Sequence, residues 1–104
     1  MASVAEIIET MNSKFNAAAA ADMDLIFQFN IEDGDTYHLI VKDGTCTAAA
    51  GENDDANVTL IMNSETFGGI ATGETDGMQA FMSGQLRVEG DMMLATKLGE
   101  LFPA

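Results

Sequence analysis

Tryptophan is missing from this chain, and proline, cysteine and histidine each occur once. The lone Cys46 excludes an internal disulfide framework, and nothing accompanies it in a Cys-x-x-Cys pair. Basic residues are almost as scarce: four Lys and Arg stand against 17 Asp and Glu, a formal net charge of -13. Such a balance opposes approach to phosphate backbones and anionic bilayers, which argues against nucleic acid as a partner. Long hydrophobic runs are also missing. No stretch approaches the ~20 apolar residues needed to cross a bilayer, so stable membrane insertion is not expected. The N-terminus lacks a basic region followed by an apolar run, so no secretory signal is expected. Together with the single cysteine this points to the cytoplasm.

Apolar material is plentiful. Hydrophobic residues make up 47% of the 104, including six Phe and eight Met, which separates the chain from disordered segments. One domain spanning 1–104 is the expectation, with burial of roughly two-thirds of the unfolded surface. Ser3-Val4-Ala5-Glu6 has capping-box spacing, and Val4, Ile7, Ile8, Met11 and Phe15 form a helical stripe behind it. Ala17 to Ala21 either extend that helix or form a separate turn, and composition leaves both open.

From Asp24 the period changes to two. Leu25, Phe27, Phe29 and Ile31 share one strand face, and Asp24, Ile26, Gln28 and Asn30 the other. Glu32-Asp33-Gly34-Asp35 supplies a turn into a second strand carrying Tyr37, Leu39 and Val41, and Asp43-Gly44 is a strong hairpin signal leading to a third over Thr45 to Ala50. The small Ala48, Ala49 and Ala50 suit either an edge strand or the close approach of a helix or a ligand. After the acidic turn at Gly51 to Asp55, Val58, Leu60 and Met62 mark a fourth strand; Asn63 or Ser64 then caps a helix holding Phe67, Gly68, Gly69 and Ile70. Thr75 and Asp76 open the next short helix.

Groups that carry catalysis are thin. His38 alternates with Tyr37 and Leu39 and is expected to face solvent, and Cys46 reads as a structural thiol. Gly68, Gly73, Glu74 and Thr75 have the spacing of a phosphate-binding loop, but Glu74 stands where that motif needs lysine. The acidic turns lack the order of an EF-hand loop. No metal site and no cofactor is implied.

The most informative stretch runs from Met78 to Phe102. Ala80, Phe81 and Met82 end a helix, Gly84 allows the positive φ of a helix stop, and Gln85 to Glu89 form a short strand with Leu86 and Val88 on one face. Gly90 turns the chain, Asp91 caps a helix, and Leu94, Leu98 and Leu101 fall on one stripe. This order, with Phe15-Asn16, the long hairpin, the Val58-Thr59-Leu60 strand and the Phe67 helix ahead of it, resembles the sterol carrier protein 2 family over nearly the whole chain.

The resemblance implies an α+β fold: a five-stranded, mostly antiparallel sheet with helices packed on one face, the last strand inserted after a helical crossover, and an apolar tunnel between sheet and helices. It also implies a non-enzymatic carrier of a long-chain apolar molecule, fatty acyl, sterol or isoprenoid. Phe27, Phe29, Leu60, Phe67, Ile70, Met78, Phe81, Met82, Leu94, Leu98 and Leu101 are the wall residues expected on that basis, with Gln28, Gln85 and Arg87 as contacts for a polar head. The chain departs from animal members of the family in its acidity and in ending Phe102-Pro103-Ala104 rather than in a peroxisomal signal. Acidity favours a second reading, an accessory domain that presents an isoprenoid or quinone intermediate to a partner protein complex. An acyl-group enzyme using Cys46 or His38 is a third.

Overall fold

A computed structural model describes residues 3–102; the Pro103-Ala104 ending lies outside them. Helix α1 (Val4–Ser13) begins where Ser3 Oγ accepts the Glu6 N–H at 3.2 Å, and it buries Ile7, Ile8 and Met11. The alanine-rich connector forms separate turns rather than more helix. Ala20 N–H donates to the Ala17 carbonyl at 3.1 Å, Asp22 takes φ 65°, and Ala20 is fully buried. Asn16 N–H ties this segment to the Leu101 carbonyl near the other end of the chain, at 2.8 Å.

Strands β1 (Asp24–Ile31), β2 (Thr36–Lys42), β3 (Thr45–Ala50), β4 (Val58–Met62) and β5 (Arg87–Gly90) form one sheet in the order β3-β2-β1-β4-β5. Every neighbouring pair is antiparallel except β1 with β4. Pairing of Phe27 with Leu39 and Val58, of Phe29 with Tyr37 and Leu60, and of Leu60 with Val88 places these side chains on one face. Asp43 and Gly44 both have positive φ, 54° and 74°, as a type I′ hairpin requires. β3 is an edge strand, and α1 lies over its alanines, with Ala5 and Ile8 across a small cleft from Tyr37, Ala48 and Ala50.

The opposite sheet face carries a correction. His38 was expected in solvent but is buried, with Nδ1 2.9 Å from the Gly51 carbonyl, to which it donates. Gln28, paired across from it, is buried too: its Oε1 accepts the Asn53 N–H at 2.8 Å and its Nε2 donates to Asn30 Oδ1 at 2.9 Å. Alternation assigns both residues to the face opposite Phe27, Phe29 and Leu39, as found. What it does not reveal is that the loop after β3 folds back over that face, held by two bonds between Asn57 and the backbone of Ile26.

Helices α2 (Ser64–Thr72), α3 (Gly77–Met82), α4 (Met92–Ala95) and α5 (Leu98–Leu101) complete the chain. The single helix expected behind Asp91 is two single turns. Leu94, Lys97 and Glu100 each donate to the carbonyl three residues back, Leu101 and Phe102 to the one four back, and Leu94 is half-buried where Leu101 is fully buried. β5 also starts later than the alternation suggests, because the N–H groups of Gln85 and Leu86 both close onto the Ala80 carbonyl after Gly84, at φ 84°. Gly90 is part of that strand, paired with Val58 at φ 94°; a Cβ there would sit 2.6 Å from the Asn57 carbonyl oxygen, so only glycine fits. β5 lies at the outer edge, beside β4 alone.

The start of α2 is doubly capped. Asn63 Oδ1 accepts the Thr66 N–H at 2.8 Å, and Asp33, in the β1–β2 turn, accepts the Ser64 N–H at 2.7 Å and its hydroxyl at 2.8 Å. These bonds hold the Asp33 carboxyl below the ordinary 3.8, the Ser64 hydroxyl contributing most. A depressed carboxyl value means stability present above 3.8 and lost as pH falls through the lower folded-state value. Asp33→Ala is expected to lower the melting temperature at neutral pH, with the gap from the parent protein closing in acid; parallel thermal melts from neutral pH to strong acid check this.

Candidate functional site

The helix-covered face of the sheet is not filled. A cavity of about 850 Å³ lies between it and the helices, where a packed interior leaves few voids larger than a water molecule. Phe29 of β1, Leu60 and Met62 of β4 and Val88 of β5 form its floor. Met11 of α1 and Phe67, Ile70 and Ala71 of α2 make one wall; Met92, Met93, Ala95 and Leu98, with Phe102 beyond α5, make the other. Phe29 and Phe67 stack with ring centres 5.2 Å apart, and Phe102 meets Phe15 at 5.7 Å and the edge of Phe27 at 6.5 Å. Aromatic pairs of this kind hold the sheet and its cover at fixed spacing.

Small residues keep the space open. Ala71, Gly73, Gly77, Ala95 and Gly99 all face it, where larger side chains would fill it. The segment between α2 and α3 runs along the mouth and is pinned by a close approach: the Thr75 side chain occupies the position a Cβ on Gly69 would take, while Thr75 N–H donates to the Gly69 carbonyl at 3.0 Å. Gly68 faces Ile7 of α1 instead. The glycine pair in α2 is therefore closely packed. Around the mouth Met78 is 56% exposed, Met92 49% and Met93 72%, an apolar rim in contact with water.

Of the residues named from sequence, Phe29, Leu60, Phe67, Ile70, Met78, Phe81 and Leu98 line this cavity. Four do not. Phe27 and Leu101 are fully buried in the core behind the wall, Leu94 is half-buried against the core outside the cavity lining, and Met82 is 79% exposed. The suggested head contacts also lie elsewhere: Gln28 holds the loop on the far face, Arg87 pairs with Glu32 at 3.4 Å, and Gln85 is exposed off the cavity. Sequence reasoning missed Met11, Met62, Leu86, Val88, Met92, Met93 and Phe102 together with the 73–77 segment. Shared strand faces carried a signal for Val88 and Met62, and the abundance of methionine carried one for the rim.

Cys46 pairs with Val41 on the helix-covered face, whereas His38 is on the other, so no nucleophile–base pair forms between them. Burial pushes the Cys46 thiol up to about 11, which keeps it protonated at neutral pH.

Residues 4–103 match the SCP-2 sterol transfer family. The chain belongs to that family. The resemblance seen in the Met78 to Phe102 stretch and the α+β architecture with its five-stranded sheet are thereby both established. Among relatives, the SCP-2 chain is 36% identical over 77 residues to hydroxysteroid dehydrogenase-like protein 2 of Homo sapiens, covering 73% of this chain and 18% of that protein. It therefore spans about a fifth of the length of such relatives. Among solved structures, the SCP-2 fold superposes on palmitated SCP2L2 of Aedes aegypti with a TM-score of 0.75 at 23% identity, covering 99% of this chain and 96% of that one. It also superposes on part of the sec-alkylsulfatase Pisa1 of Pseudomonas sp. with a TM-score of 0.85 at 21% identity, covering 95% of this chain and 16% of that one.

Wall and core are separable by stability. Leu101→Ala, behind the wall, is expected to cost about 2–5 kcal/mol, and Met93→Ala, on the rim, within roughly 0.5 kcal/mol. Denaturant unfolding of the two variants checks the assignment.

Proposed function

We propose that this SCP-2 domain is a non-catalytic binder of one long-chain apolar molecule, which it holds in the cavity and releases through the methionine-lined mouth. The observation that carries the reading is an unfilled space of about 850 Å³ walled by Phe, Leu, Ile and Met inside a domain of 104 residues. Its volume lies within the 300–1,000 Å³ usual for small-molecule sites. Burial of chain methylenes drives binding: at about 0.8 kcal/mol each, ten methylenes supply roughly 8 kcal/mol against an association cost of 4 kcal/mol or more. Methionine suits such walls because it is flexible and polarisable and adapts to ligands of different shape. A similar domain in palmitated SCP2L2 of Aedes aegypti is a precedent for an acyl chain in this fold.

A second reading has its own support. Relatives such as hydroxysteroid dehydrogenase-like protein 2 match this chain over about a fifth of their length, so the domain also occurs within larger proteins. On that reading it presents an isoprenoid or other apolar intermediate to a partner protein, and the exposed Met78, Met92 and Met93 rim is the surface that meets it.

Native mass spectrometry of detergent-free protein incubated with a fatty alcohol, a sterol and an isoprenoid quinone is expected to show a saturable one-to-one adduct. Leu98→Trp is expected to weaken the adduct by narrowing the cavity, at a stability cost of at most about 1–3 kcal/mol. Undiminished binding by the folded variant refutes the wall; failure of every lipid on the folded parent protein leaves the partner reading.

A further inference from the structure

Resting on the lipid-binding reading, we propose that the cavity selects ligands with an uncharged head group and discriminates against carboxylates of the same chain length. The charges at the mouth are of one sign. Among the described residues that line the cavity the charged ones are Glu74 and Asp76, with no lysine, arginine or histidine. Both carboxylates are on the 73–77 segment that runs along the mouth, and both are exposed there. Asp76 is fixed in place as the cap of α3, its Oδ1 accepting the Met78 N–H at 3.0 Å. Glu74 adjoins Thr75, which is anchored on Gly69. The polar groups that remain for a ligand head are neutral: Thr75, Gln79 and Thr96.

The chain's few cations do not offset this. Arg87 is paired with Glu32, and Lys14 and Lys42 lie at the ends of α1 and β2. Lys97 is flanked by the lining residues Thr96 and Leu98 but does not itself line the cavity. An alkyl chain seated among Phe29, Phe67 and Leu98 brings its head to the 73–77 segment, where an anion meets two carboxylates and an alcohol meets hydroxyl and amide partners. Two fixed charges a few ångström away, in largely aqueous surroundings, weaken an anion by roughly tenfold at low salt.

The test is calorimetric titration with dodecanol and dodecanoate at low and high salt, on the parent protein, a Glu74→Gln/Asp76→Asn variant, a Lys97→Gln variant and an Asp54→Asn/Asp55→Asn control, whose charges lie on the loop over the far sheet face. Asn retains the α3 cap, so the first variant keeps its fold. Dodecanol is expected to bind more tightly, and the affinity ratio is expected to fall roughly tenfold in the Glu74/Asp76 variant and to shrink at high salt. The Lys97 variant and the far-face control should keep the parent ratio. An equal fall in the far-face control, an unchanged ratio in the Glu74/Asp76 variant, or dodecanoate that binds as tightly as dodecanol and loses affinity in Lys97→Gln overturns the head-group inference and leaves lipid binding standing. Failure of both ligands to bind the folded parent protein overturns the lipid reading and this inference with it.

Discussion

A sheet face bearing Phe27, Phe29, Leu39, Val58 and Leu60 has to be kept from water, and the cover available to it is too small in volume to fill the space. The parallel pairing of β1 with β4 makes that face wide, since it sets Phe27 and Phe29 beside Val58 and Leu60 in register. Over it lie α1, α2 and two single-turn helices whose inward positions include Ala71, Ala95 and Gly99. Packing at one end is tight: Phe27, Phe102, Phe15 and Leu101 close together, tied by the Asn16–Leu101 backbone bond. At the other end the cover is looser: Phe29 and Leu60 stay buried beneath the cavity, while Met78, Met92 and Met93 at its rim are exposed.

An apolar void of that size loses the dispersion contacts that a filled core would make, so the domain has to hold its stability elsewhere. The far face shows how. There the loop after β3 closes over Gln28 and His38 and satisfies both, and no buried polar side-chain atom among the described residues lacks a partner. Asp33 and Asn63 together secure the first turn of α2, the helix that forms one wall, while Gly69 and Thr75 lock the mouth segment onto its other end. Rigid supports on both sides let the methionine rim stay exposed and adaptable.

Electrostatics and apolar burial divide the work between them. Burial is indifferent to head chemistry, since each methylene contributes alike. Discrimination has to come from the mouth, where this chain's acidity is brought to bear by Glu74 and Asp76. Among the described residues the cavity lining holds no basic side chain, and no helix is long and apolar enough to cross a membrane.

Local chemistry was legible in the residues. Ser3, Asn63, Asp76 and Asp91 announce helix starts because a short polar side chain reaches the free N–H groups of a first turn, and each does so. Asp43-Gly44 specifies a hairpin because both positions tolerate positive φ. Strand alternation assigned faces, and the order of short motifs named the family. Decided only in three dimensions were the burial of His38 and Gln28, which depends on a loop returning from a distant part of the chain, and the division of the helix behind Asp91 into α4 and α5, with Leu94 outside the cavity lining. The cavity itself belongs with them: periodicity tells which residues share a side, but whether their summed volume fills the space facing them is a property of the packed whole. Phe27 and Phe29 make the point: two residues apart on one strand face and both buried, only Phe29 borders the cavity.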